Sequence, residues 1–214
     1  MKRGPMVIGL VGGIASGKSA VADAFERRGA WVSRSDRQAH ELLAKPDISR
    51  TLAGWFGLGV LGPDGLIDRK ALGAIVFADE TARRRLEGLI HPLLHQARAD
   101  LLERARREGV ELVVVDAPLL FEAGVDEECD AVVFVDTPFA ERLRRVVHTR
   151  GWDEAELIRR ENAQLGLDAK RSKADYVVEN DGDLDRLDRH VGSLLKELLT
   201  GPHQDDRPRG QVSD

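Results

Sequence analysis

Cysteine is almost missing from this 214-residue chain: Cys129 stands alone, which excludes an internal disulfide framework and a cysteine-ligated zinc site. Its neighbours Glu127, Glu128 and Asp130 disfavour a thiolate, leaving it a structural or bystander role. Long apolar runs are missing too. No stretch approaches the ~20 apolar residues of a membrane span. The run behind Lys2 and Arg3 is short and breaks into glycines, so it reads as a strand and not as a signal peptide. Nor is there an excess of positive charge. A net charge of -5 and a pI of about 5.7 argue against a surface that coats nucleic acid. Asparagine occurs only as Asn162 and Asn180, so the Asn-Lys-x-Asp run with which a GTPase reads guanine is excluded. There is no internal repeat. A cytoplasmic protein acting away from membranes and nucleic acid is the expectation, and the length suits one α/β domain with insertions.

What is present is concentrated near the start. Met6-Val7-Ile8-Gly9-Leu10-Val11 is short, apolar and β-branched, as a buried parallel strand should be. Gly12-Gly13-Ile14-Ala15-Ser16-Gly17-Lys18-Ser19 then matches G-x-x-x-x-G-K-[ST] at every fixed position, and a helical stretch begins at about Ala20. The order has a physical reason. Glycines let successive N–H groups point into one anion-sized hollow, and the helix N-terminus adds its positive end. Lys18 can reach β- and γ-phosphates, and the Ser19 hydroxyl is a candidate Mg²⁺ ligand. A nucleoside-triphosphate site over Gly12 to Ala20 is the expectation.

Further along, Ala30 to Ser33 reads as a second strand with Asp36 just past its carboxyl end, where open α/β sheets place ligand-binding residues. Asp36 also fits the N-cap of the following helix, and the two roles can coexist. It stands where it could take or orient the proton of an acceptor hydroxyl. Residues 45–110 read as helices inserted between strands. Leu52, Trp55 and Phe56 form one apolar face, and Asp68 caps a helix carrying Leu72, Ile75, Val76 and Phe77. A longer helix begins near Asp79, and His91-Pro92 should kink or restart it. Glu111 to Asp116 is a third strand, four apolar residues ending on an acid, the pattern whose Asp holds the Mg²⁺ shell in P-loop proteins. Ala117 to Glu122 is too apolar for a free loop and should pack along a cleft wall.

Asp130 to Asp136 is a fourth strand, and Thr137-Pro138 opens a helix rich in arginine: Arg142, Arg144, Arg145 and Arg150. Glu141 and Glu156 look like poor neutralisers for so many guanidiniums. A lid that closes arginines onto a triphosphate and a plainly solvated helix both fit; nucleic-acid binding fits less well, since interleaved aromatics are lacking. Ala174 to Val178 is a fifth strand, and Leu184 to Leu198 an amphipathic helix. From Gly201 the tail has nothing to bury and should be disordered. Five strands alternating with helices give a parallel sheet covered on both faces.

GLVGGIASGKS, SDRQAHEL, GLIDRKALGAIVF, the His91-Pro92 pair, VDAPLLFE and the closing Q-x5-K-x3-AD run resemble, in order from about Val7 to Gly182, the dephospho-CoA kinase family. The P-loop is shared by many families, whereas PLLFE with the HP pair and that ending is far more specific. The resemblance implies ATP- and Mg²⁺-dependent phosphorylation of the ribose 3′-hydroxyl of dephospho-CoA, giving coenzyme A and ADP. It implies Asp36 as catalytic base, Lys18 as phosphate clamp and Ser19, with Asp116, on Mg²⁺. His91, Pro92 and Leu119, Leu120, Phe121 and Glu122 fall on the acceptor side, Arg145 and Arg150 on the lid, and Asn180 near adenine. The layout it implies is one kinase domain over residues 1–200, with a core at about 6–44, 111–137 and 174–200. A helical acceptor-binding insertion would span about 45–110, a helical lid about 138–173 and the tail 201–214. One position departs: Arg34 stands where the family's D-x-D element has its first acid, leaving Asp36 as the single carboxylate. Another small-molecule kinase, such as a nucleotide or shikimate kinase, and a nucleotide-dependent switch are the competing readings.

Overall fold

The structure, a computed structural model, describes residues 4–200; the tail expected to be disordered lies outside the described residues. Five strands build one parallel sheet in the order β2-β3-β1-β4-β5. They are β1 (Met6–Gly12), β2 (Trp31–Arg34), β3 (Leu112–Asp116), β4 (Ala131–Asp136) and β5 (Tyr176–Glu179). The helices are α1 (Lys18–Glu26), α2 (Ser35–Leu43), α3 (Pro46–Phe56), α4 (Arg69–Ala78), α5 (Glu80–Glu108), α6 (Phe139–Arg150), α7 (Glu154–Glu161), α8 (Leu167–Lys173) and α9 (Leu184–Thr200). The described chain packs as two compact units, one running up to Val32 and resuming at Glu108, the other Ser33–Arg107.

In the first unit the strand period of two decides what faces what. Ile8 and Leu10 of β1, Val114 of β3, and Val133 and Val135 of β4 turn to one face, against Val21 and Phe25 of α1 and Val191, Leu194 and Leu198 of α9. Gly9 turns to the other. A methyl at Gly9 would lie 2.8 Å from Leu120 Cδ1 and 3.0 Å from Cys129 Sγ, so the missing side chain is what lets Leu120 bury to 1 % exposure. The C-terminal end of α1 is clamped by charge to the N-terminal part of α9: Arg28 Nη1 donates to Asp188 Oδ1 at 2.6 Å and Arg27 Nη2 at 3.1 Å. These guanidiniums, Arg28 first, hold the Asp188 carboxyl below the ordinary aspartate range.

Every strand has an end one or two residues away from expectation, β2 and β5 at both ends. β2 runs Trp31–Arg34, shifted by one residue from Ala30 to Ser33, and Ser35 directly begins α2. β5 begins at Tyr176, two residues late: Asp175 is occupied in bridging, its N–H donating to Val132 O and its carboxylate accepting from Val132 N–H, each at 2.8 Å. The mirrored device at β1, with Asp130 Oδ2 accepting from Val7 N–H at 2.7 Å, fixes the strand starts by side chain.

In the second unit Leu42, Ile48, Leu52, Leu72 and Ile90 form a separate buried cluster, with Trp55, Phe56, Leu89, Leu93 and Leu94 against it. Asp68 does cap α4, accepting from the N–H groups of Lys70 and Ala71, and Asp79 opens α5 by accepting from Thr81 N–H at 2.7 Å. Pro92 does not restart the helix: α5 continues through it. The helix forgoes one hydrogen bond to the Gly88 carbonyl, a penalty of about 3 kcal/mol. Leu86, Leu89, Ile90, Leu93 and Leu94, on both sides of the proline, pack into the same cluster and offset it. Among the described residues no helix is long and apolar enough to cross a membrane.

Two outcomes follow from the packing of the first unit. Gly9→Ala should lower stability by about 1–3 kcal/mol through overpacking against Leu120, read as a lower urea midpoint; Gly9→Ala with Leu120→Val should recover part of it. Asp188 has its pKa lower folded than unfolded, so its contribution is complete above the ordinary value of 3.8 and fades as pH falls through its folded value. Asp188→Asn should therefore destabilise at pH 7, with the gap to wild type closing in acid unfolding curves below about pH 4.

Candidate active site

The loop between β1 and α1 bends as the glycine pattern requires. Gly17, the N-cap of α1, has φ 86°, a left-handed conformation that a side chain would strain. Ala15 sits at φ 59°, the one non-glycine residue with positive φ among those described. A turn closed by Ser16 N–H donating to Gly13 O at 3.1 Å brings the amides round. α1 begins at Lys18, two residues earlier than expected, so the lysine and Ser19 occupy its first turn at the positive end of the dipole. The Lys18 ammonium rests 3.4 Å and 3.3 Å from the carbonyl oxygens of Gly12 and Gly13. The Ser19 hydroxyl donates to Asp116 Oδ2 at 3.0 Å, so the two residues expected to share a Mg²⁺ shell are brought together.

Amides that converge on a ligand leave carbonyls facing inward, and those need donors. The Ser16 carbonyl, on a residue with no exposure, accepts from Asn180 Nδ2 at 2.6 Å and from Thr137 Oγ1 at 2.8 Å. Arg145 donates through Nη1 to Ala15 O and through Nη2 to Asn180 O, each at 3.2 Å. Asn180, expected near adenine, thus spends its amide on the back of the loop. A further partner was not foreseen. Glu161, last residue of α7, accepts from Ile14 N–H at 3.0 Å and pairs with Arg142, itself only 4 % exposed and bonded through Nε to Thr137 O. Nothing in the residue types marks this: Glu161 lies in a run of charges that reads as solvated, and only its distance in space from the loop identifies it.

The acidic residues of the arginine-rich region do more than expected. Glu141 takes Arg144 at 2.7 Å and Arg145 at 2.9 Å, and the Arg144 bond, assisted by Arg145 against the opposing push of burial, holds its carboxyl at about 2. Glu156 likewise takes Arg159 and Arg160. Arg150 is elsewhere: its guanidinium lies 4.7 Å from the Trp152 ring centroid, with that of Arg160 at 4.2 Å.

The turn after β3 splits its side chains. Leu120 is buried against Gly9, whereas Leu119 is 43 % exposed. Phe121 lies under Lys173, with Nζ 5.3 Å from its centroid. Glu122 accepts from Leu165 N–H at 2.9 Å and pairs with Lys170 at 3.2 Å. Asp36, His91 and Pro92 belong to the second unit and are all exposed. Asp36 is not the N-cap: that position is Arg34, and Asp36 lies in the first turn of α2, its carboxylate at the helix's positive end.

The sequence model of the dephospho-CoA kinase family matches residues 6–186. The dephospho-CoA kinase of Geobacter sulfurreducens is 40% identical over 88% of this chain and 96% of its own length. That of Anaeromyxobacter dehalogenans is 43% identical over 91% and 93%. Among solved structures, TT1252 from Thermus thermophilus superposes with a TM-score of 0.80 at 35% identity, covering 93% of this chain and all of that one.

The Glu161 contact is directly testable. Glu161→Ala strands a buried guanidinium and should lower stability by roughly 3 kcal/mol in urea unfolding, while Glu161→Gln, which keeps an acceptor for Ile14 N–H, should lose less. An unchanged midpoint for Glu161→Ala would mean that the pair carries no weight.

Proposed function

The chain belongs to the dephospho-CoA kinase family, and on that premise we propose that it transfers the γ-phosphoryl group of ATP to the ribose 3′-hydroxyl of dephospho-CoA, in the cytoplasm, through the residues assigned below. What carries the reading is the phosphate loop with the Ser19 hydroxyl 3.0 Å from Asp116 at its edge. Such a pair of hard oxygen donors suits Mg²⁺, which Ser19 and Asp116 would hold. When bound, the ion supplies charge neutralisation on the β- and γ-phosphates.

The chain's own residues do the rest by position and charge, since a loose phosphoryl-transfer transition state asks for little else. The loop amides and the first turn of α1 hold the β- and γ-phosphates. Lys18 trades the carbonyls of Gly12 and Gly13 for phosphate oxygens, a better partner for an ammonium. Arg145, which lies against the loop at the Ala15 carbonyl, and Arg150, on leaving Trp152, stabilise charge on the transferring group. Asn180 keeps the loop's shape and borders the adenine. Asp36 accepts the proton of the 3′-hydroxyl as general base. His91, Pro92, Leu119 and Phe121 receive the acceptor, while Leu120 anchors the turn that carries the last two.

ADP release measured with and without dephospho-CoA tests the whole. Turnover should depend on that acceptor. Phosphorylation of a nucleoside monophosphate or shikimate and not of dephospho-CoA would overturn the substrate, and acceptor-independent hydrolysis alone would favour a switch. Asp36→Asn should lower kcat by ~10²–10⁴-fold with the fold intact; near wild-type turnover would remove Asp36 from the chemistry. Lys18→Ala should abolish most activity without altering the circular dichroism spectrum.

A further inference from the structure

Lys170 is the most deeply buried lysine among the described residues, 2 % exposed on the seven-residue helix α8. An ammonium so placed is costly unless its hydrogens are satisfied. It donates to Gln164 Oε1 at 3.0 Å and pairs with Glu122 Oε1 at 3.2 Å. Glu122 in turn accepts from Leu165 N–H at 2.9 Å. Burial alone would push the Glu122 carboxyl up; the hydrogen bonds from Leu165, from its own amide and from Lys170 together bring it below the usual range. One helical turn on from Lys170, Lys173 lies over Phe121. Thus α8 holds two consecutive residues of the turn after β3.

A buried ion pair adds little stability over an apolar pair of the same volume. What it does supply is direction: with Leu120 packed inward at Gly9 and Glu122 held by α8, Phe121 is fixed between two anchors, and Leu119 directly precedes the first of them. The contact also continues toward the phosphate loop. Gln164 N–H donates to Glu161 O at 3.0 Å, and the Glu161 carboxylate accepts from Ile14 N–H. One connected path therefore runs from Ile14 through Glu161, Gln164 and Lys170 to Glu122.

We propose that Lys170 is a positioning residue for the acceptor, acting through Glu122 to set the Leu119–Phe121 turn relative to the phosphate loop. The proposal rests on reading that turn as part of the acceptor site. Lys170→Met should raise KM for dephospho-CoA about tenfold or more, with KM for ATP within about twofold, because the turn loses its register while the loop keeps Arg145 and Asn180. Lys170→Arg, which preserves the charge, should recover part of the loss. Adding Glu122→Gln to Lys170→Met should worsen it little, as expected of two residues acting through one contact.

Phe121→Ala separates the two levels. If it leaves KM for dephospho-CoA unchanged, the acceptor reading of the turn fails and this proposal with it. If Phe121→Ala raises that KM and Lys170→Met, folded by circular dichroism, does not, Lys170 is structural only and the proposal alone is overturned. Equal changes in both KM values overturn it as well. Should Lys170→Met fail to fold, Gln164→Leu, which removes one acceptor of the same ammonium, provides the same comparison, with the smaller rise in acceptor KM expected and its absence overturning.

Discussion

A loop that turns its amides toward a ligand must turn carbonyls toward the protein, and that constraint organises the first unit. The Ser16 carbonyl takes Asn180 and Thr137, the Ala15 carbonyl takes Arg145, and the Ile14 amide is held by Glu161. These partners, three donors and one acceptor, come from just past β5, just past β4, and helices α6 and α7. Elements remote in sequence are drawn to one place by the backbone's need for partners, because an unmet buried carbonyl or amide costs about as much as a lost hydrogen bond. The arginines of α6 divide accordingly. Arg142 and Arg145 turn inward to the loop, whereas Arg144 and Arg150 remain exposed.

Much of this was legible in the residues. The five strands, the helix after the phosphate loop, the cap at Asp68, the helix start near Asp79 and the acid closing β3 each follow from local pattern: a β-branched run, a glycine spacing, a capping side chain. Legibility ended where a local preference met a tertiary contact. Pro92 reads as an interruption because no local signal shows that leucines on either side share one cluster. Asp36 reads as a cap because Ser-Asp before a helix commonly is one, yet β2 delivers the chain at Arg34 and α2 starts directly. Glu141 looks outnumbered in sequence, but a carboxylate has two oxygens and takes two guanidiniums at once.

The candidate site shows the same divide. Gly12 to Ser19 and Asp116 were recognisable by type and spacing, since phosphate and metal chemistry allow few alternatives. The structural roles of the residues that hold that apparatus in place were not, although Lys170 falls in the Q-x5-K run. Glu161 and Lys170 carry charges that any reading of composition assigns to solvent, and their burial depends on a partner 147 residues away in one case and on Glu122 in the other. Leu120 was grouped with ligand-facing neighbours because its direction depends on a glycine in a different strand.

The parallel pairing of β1 with β3 places Leu10 beside Asp116, two residues before the phosphate loop opens. The gap between Ser19 and Asp116 is therefore measured out by a ladder of main-chain bonds at the middle of the sheet. Side-chain rotamers trim that gap but do not set it. A slip of one rung would swing the carboxylate to the opposite face, so the site inherits its tolerance from the stiffest part of the molecule. Drift that repaints the surface can accumulate around such a gauge without moving its marks.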